Sequence, residues 1–275
     1  MKRPITLATL FLFVLSSVQV PAAFSYTTDS TAPLAGGCPQ PNRWNLSLAS
    51  PLNRRWSTSL LLTGVTILTV ATQRTPAQLT EIEQSILDSF GVWAGVTGTT
   101  FNSSAHPGLI APLARVSTAN SCSNDQENNI DGLNTICFNQ SSAAFTTGVL
   151  AFTRVITANA PGVSVGVSGP AAFAGQILDA DTLFRNDQQA TYATPGALAT
   201  PQGQGAYDLE SLLAHELGHW FGLDHSAVYR AVMFPYAPPP GQFLGDRPTT
   251  QAPMGLSPKT TAPASDRCIP IPMIP

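Results

Sequence analysis

The chain has 275 residues, a net charge of −3 and charged side chains at only 11% of its positions. That length supports one sizeable domain with a full hydrophobic core, or at most two small ones. No cluster of Lys and Arg follows the first three residues, so composition argues against a nucleic-acid partner.

In chain order, residues 1–25 are expected to lie outside the fold. Lys2 and Arg3 precede an apolar run from Ile5 to Val20, and Ala23 and Ser25 supply the small residues of a cleavage site before Tyr26, the pattern of a secretory signal peptide. No later segment is apolar for long enough to span a bilayer, so a secreted, soluble, monomeric protein without membrane contact is expected after cleavage. Residues 26–43 read as an N-terminal linker, 44–245 as the folded domain and 246–275 as a Pro-rich tail. Pro, Gly, Ser and Thr also crowd Ala190–Gly205, which reads as a surface loop.

Within the domain, "STSLLLTGVTILTV" (57–70) is the first β-rich run. A helix is predicted from Pro76: Thr75 is its N-cap, Pro76 its first residue and Gln78 the partner in a capping box, while Leu79, Ile82, Ile86, Phe90 and Trp93 recur at spacings of three and four. Further strands are expected in "GLNTICF" (132–138), "VLAFTRVITA" (149–158) and "GQILDADTLF" (175–184). The class is therefore α/β or α+β with a mixed sheet. Asp179 and Asp181, alternating with Ala180, are expected to face solvent together, where their oxygens leave room for a calcium ion. Asp125, Glu127 and Asp131 lack the closing Glu of a calcium loop and read as a solvated turn. Asn45, Asn102 and Asn139 stand in glycosylation sequons.

Three of the four histidines fall in one stretch, "HELGHWFGLDH". Asp208 is a fair N-cap, and the helix after it would set His215 and His219, four residues apart, on the same face. Gly222 allows the left-handed turn that ends such a helix and returns His225 as a third ligand. Three neutral imidazoles leave one position on a zinc ion open for water, which is the pattern of a catalytic site. Glu216 can then act as general base toward that zinc-activated water.

The full pattern H-E-x-x-H-x-x-G-x-x-H, with Met233 eight residues beyond His225 and Ser226 directly after it, resembles the metzincin zinc proteases of the matrixin branch. The resemblance implies a twisted, mostly parallel five-stranded sheet with an antiparallel edge strand along the substrate cleft. It also implies an active-site helix, a Met-turn at Met233 under the metal, and hydrolysis of protein or peptide substrates. Vertebrate members bind a second, structural zinc through further histidines; only His106 remains here, so a single zinc is expected. Their outer specificity wall has Pro-x-Tyr after the Met-turn, whereas Tyr236 directly follows Pro235 here, so no substrate preference carries over. A non-catalytic, zinc-containing extracellular binding module is the alternative, and Glu216 beside an open metal position argues against it.

Four cysteines admit three pairings. Cys122–Cys137 and Cys38–Cys268 are favoured, because the first pair brackets a local loop and the second joins the two ends of the mature chain. Cys38 also has a second reading, as a thiol that blocks the zinc in a latent enzyme.

Overall fold

The structure is a computed structural model that describes residues 40–45, 52–57, 75–95, 110–116, 131–140, 145, 147–162, 171–185, 191–199, 205–229 and 231–241. Strands β1 (Arg43–Trp44), β2 (Leu52–Ser57), β3 (Ile110–Val116), β4 (Thr135–Gln140), β5 (Ala151–Thr157) and β6 (Gln176–Arg185) share one sheet. Strands β7 (Tyr192–Ala193) and β8 (Tyr207–Asp208) pair separately, and the helices are α1 (Pro76–Ala94), α2 (Pro195–Leu198) and α3 (Leu209–Trp220).

In the main sheet β3, β2, β4 and β6 lie side by side, all parallel. Thr182 of β6 pairs with Ile136 of β4 and with Thr153 of β5; a strand residue has one neighbour on each side, so β5 lies on the far edge of β6, where it runs antiparallel. By the same logic β1, which pairs Trp44 with Ile177, sits on the β4 side at the start of β6. The result is the mixed, mostly parallel sheet with an antiparallel edge strand that the resemblance implies, with β1 as a short addition.

Side chains alternate across the sheet with the period of two that a strand imposes. Ile136, Phe138, Ala180 and Phe184 join the main core under the helices, whereas Cys137 and Leu183 pack with Phe145 on the opposite face. Because both faces are covered, nearly every residue of β6 is buried, as expected of a central strand. That placement corrects the expectation for Asp179 and Asp181. Both are buried; Asp181 Oδ1 accepts the Thr135 N–H at 2.8 Å and Asp179 Oδ1 accepts the Ala180 N–H at 3.1 Å. Buried polar groups need partners, and here the carboxylates cap backbone at the start of the β4–β6 ladder instead of facing water.

One other expectation needs correction, and one strand lies where none was expected. That strand precedes the apolar run: β2 is "LNRRWS", in which Trp56 is fully buried and the Arg54 guanidinium stacks on the Phe90 ring at 4.6 Å. Residues 58–70 of the expected run lie outside the described residues. The stretch from Ala190 to Gly205 is not simply a surface loop either, since Tyr192, Ala193 and Thr194 are buried and Thr194 caps α2. Thr194 Oγ1 also donates to Glu81 Oε1 at 2.5 Å, which ties this segment to α1.

Helix α1 starts as its sequence requires. Thr75 accepts the Gln78 N–H, and the Gln78 side chain accepts the Thr75 N–H at 2.9 Å. Its buried stripe includes Ile82, Ile86, Phe90 and Trp93, together with the small Ser85 and Ser89. Those serines let α3 come close: Ser89 Oγ lies 3.1 Å from the Glu210 carbonyl, and Trp93 Nε1 donates to the Ala214 carbonyl at 2.8 Å. Trp44 Nε1 donates to the Trp220 carbonyl at 2.8 Å. Helix α3 is thereby held along its length, and its burial on nearly every side marks it as the centre of the domain.

Candidate metal centre

The helix that carries the site begins at Asp208, whose carboxylate accepts the Ser211 N–H at 3.0 Å and places negative charge at the positive end of the helix dipole. It ends in a Schellman motif. The Gly222 N–H donates to the His219 carbonyl and the Leu223 N–H to the Gly218 carbonyl, with Gly222 at φ 86°. A side chain at residue 222 would also run into the Asn42 carbonyl, so both backbone angle and available space demand glycine there. The chain reverses and brings His225 back toward the helix.

His215, His219 and His225 then present ligand nitrogens that all lie within 4.8 Å of one another. The Nδ1 atoms of His215 and His219 sit 2.7 Å from the carbonyls of Val232 and Leu223 respectively. A carbonyl can only accept, so each Nδ1 carries the proton and each Nε2 keeps its lone pair for a metal. The Nε2 atoms of His219 and His225 are 3.3 Å apart. Two nitrogens about 2.0–2.1 Å from a tetrahedral zinc would stand about 3.3–3.4 Å apart, so the donor set fits that ion. Burial, reinforced by the neighbouring His219, lowers the His215 pKa to about 4; the ring is neutral at neutral pH, the state a metal ligand needs.

Glu216 lies between the first two histidines in sequence and is buried. Desolvation raises its pKa to about 7, against the opposing effect of a hydrogen bond from Thr153. Met233, fully buried, lies against α3 at Gly218, where a Cβ would strike its sulfur and come within 2.9 Å of the Trp93 ring. The Met233 carbonyl accepts the Ser226 N–H at 2.6 Å, so the loop that follows His225 is closed on itself.

Among the described residues, these histidines form the group of three or more His, Cys, Asp or Glu able to hold a metal ion, and Asp179 and Asp181 belong to no such group. Asp131 caps the turn before β4 by accepting the Leu133 N–H at 2.7 Å, and pairs with Arg55 at 3.1 Å. Cys137 is disulfide-bonded; its expected partner Cys122 lies outside the described residues, as do Cys38, Cys268, His106, Asp125 and Glu127. No helix among the described residues is long and apolar enough to cross a membrane.

Several residues of the site carry no signal in sequence. The carbonyls of Val232 and Leu223 are backbone groups, and Thr153 comes from a strand 63 residues away from Glu216. Gly218 did leave a signal, since glycine inside a helix is unfavourable and calls for a packing reason.

Comparison with known proteins agrees with this geometry. Residues 158–243, from the end of β5 past the histidine cluster, match the matrixin peptidase family model. A 72-residue stretch is 35% identical to Metalloendoproteinase 1 of Glycine max, covering 26% of this chain and 24% of that protein. The chain therefore spans about a quarter of the length of the curated relative it matches.

Proposed function

We propose, from the premise that this chain carries a matrixin-like metalloprotease domain, that it is a secreted zinc-dependent endopeptidase acting on protein or peptide substrates. In this reading His215, His219 and His225 hold one catalytic zinc, Glu216 is the general base, and Met233 forms the Met-turn floor. The observation that carries the reading is the histidine cluster with a buried carboxylate on the same helix, two ring nitrogens of the cluster being 3.3 Å apart.

When bound, zinc supplies a Lewis acid that makes water nucleophilic near neutral pH and polarises a carbonyl oxygen. Glu216 takes the proton released by the attacking water and then delivers it to the departing amine. Its pKa of about 7 without metal suits a group that must both accept and return a proton. The Val232 and Leu223 carbonyls fix the ring planes of His215 and His219 through the Nδ1 protons, so the ligands need no reorganisation during turnover. Secretion is supported by the basic, apolar, small-residue order of residues 1–25.

The test is digestion of a peptide library by the purified protein, with and without chelator, followed by zinc add-back. Cleavage that the chelator removes and stoichiometric zinc restores is expected. A zinc-loaded, folded protein that cleaves nothing in the library would favour the non-catalytic binding module instead.

A further inference from the structure

Thr153 and Thr182 stand directly opposite each other on β5 and β6, and the Thr153 hydroxyl reaches α3. Its Oγ1 lies 2.9 Å from Glu216 Oε2, 3.0 Å from the Glu216 carbonyl oxygen and 3.0 Å from Thr182 Oγ1. A hydroxyl has one hydrogen to donate and lone pairs with which to accept. The Glu216 carbonyl and an ionised carboxylate can both only accept, and the charged oxygen is the stronger acceptor, so with Glu216 ionised Thr153 donates its one hydrogen to Oε2 and accepts from Thr182.

We propose that Thr153 is a positioning residue for Glu216, gripping Oε2 from the neighbouring strand so that Oε1 is the oxygen left to exchange the proton. This inference rests on Glu216 being the base proposed above. Helix packing alone does not settle the direction of a glutamate side chain, which has three rotatable bonds and considerable rotamer entropy. Threonine is suited to the task because its branched Cβ restricts χ1, and its strand is held along β6 from Ala151 to Thr157. The role differs from that of a ligand-orienting carbonyl: the hydrogen bonds of the Thr153 hydroxyl run to Thr182 and Glu216, so it bears on the proton carrier.

Thr153→Val removes the hydroxyl at nearly constant shape, and Thr153→Ser keeps it. In the zinc-loaded protein Thr153→Val is expected to lower kcat about 10–100-fold, the usual effect of losing such a supporting contact, with KM and zinc content unchanged. Thr153→Ser should recover most of the lost rate. A second readout does not depend on turnover: in metal-stripped protein labelled with 13C at the glutamate carboxyls, at alkaline pH, the Glu216 resonance is assigned by its absence in Glu216→Ala. It should move in Thr153→Val and return toward its original position in Thr153→Ser. An unmoved resonance, or a Ser variant as slow as the Val variant, overturns the proposal. A resonance that moves as expected in a protein that cleaves no peptide upholds the grip on Oε2 and refutes the endopeptidase reading instead.

Discussion

Gly218→Ala isolates the contact between the histidine helix, Met233 and Trp93. On an exposed helix this change would stabilise the protein by about 1 kcal/mol. Here the new Cβ would overlap the Met233 sulfur, lie 2.8 Å from Met233 Cε and 2.9 Å from the Trp93 ring. Neither neighbour has room to yield freely, since Met233 is fully buried and Trp93 is held by its hydrogen bond to Ala214. Overpacking of this kind costs about 1–3 kcal/mol, and displacing the methionine forfeits part of the roughly 1.5–3 kcal/mol gained by its burial. After the helix-propensity gain is subtracted, a net loss of about 1–3 kcal/mol is expected. Urea denaturation of the zinc-loaded protein measures it as a lower midpoint at constant slope. Met233→Ala alone should cost about 2–5 kcal/mol through the cavity it leaves. In the double variant the methyl added by Gly218→Ala enters that space, so the combined loss should fall short of the sum by about 1 kcal/mol or more. Additivity within about 0.5 kcal/mol, or a Gly218→Ala protein more stable than wild type, would refute the packing argument.

Two further predictions concern the chemistry. Glu216→Ala should lower peptide hydrolysis by at least about 10²–10⁴-fold while one zinc per chain is retained, whereas His219→Ala should lose both; metal analysis beside a peptide assay separates these outcomes. The pH dependence of the metal-stripped chain should show two opposed effects. Burial raises the Glu216 pKa from 4.5 to about 7, so its contribution is complete below 4.5 and is lost as pH rises through 7. Burial and the neighbouring His219 lower the His215 pKa from 6.5 to about 4, so its contribution is complete above 6.5 and is lost as pH falls through 4. Between pH 4.5 and 6.5 the two slopes nearly cancel. Glu216→Gln should unmask the histidine limb, with stability falling by about 3 kcal/mol on acidification across that window, at about 1.4 kcal/mol per pH unit. Urea titrations at several pH values check this, and a Glu216→Gln curve parallel to that of wild type would contradict it.

What could be read from sequence were features whose cause lies within a few residues. The capping box at Thr75 and the apolar stripe of α1 are set by helical periodicity. The facing of His215 and His219, and the reversal at Gly222 that returns His225, follow from helix pitch and from a backbone angle only glycine adopts freely. What only the tertiary structure decided depends on groups brought together across the chain. The location of β2 was missed because Asn53, Arg54 and Arg55 look polar, and only pairing with β3 and β4 makes them a strand. The burial of Asp179 and Asp181 depends on β6 being a central strand covered on both faces. Likewise, the carbonyl at Val232 that orients His215, the methionine that excludes a side chain at Gly218 and the Thr153 hydroxyl on Glu216 carry no local pattern. Backbone oxygens are present at every residue and threonine is common in strands, so such groups acquire a role only when packing aims them at a partner.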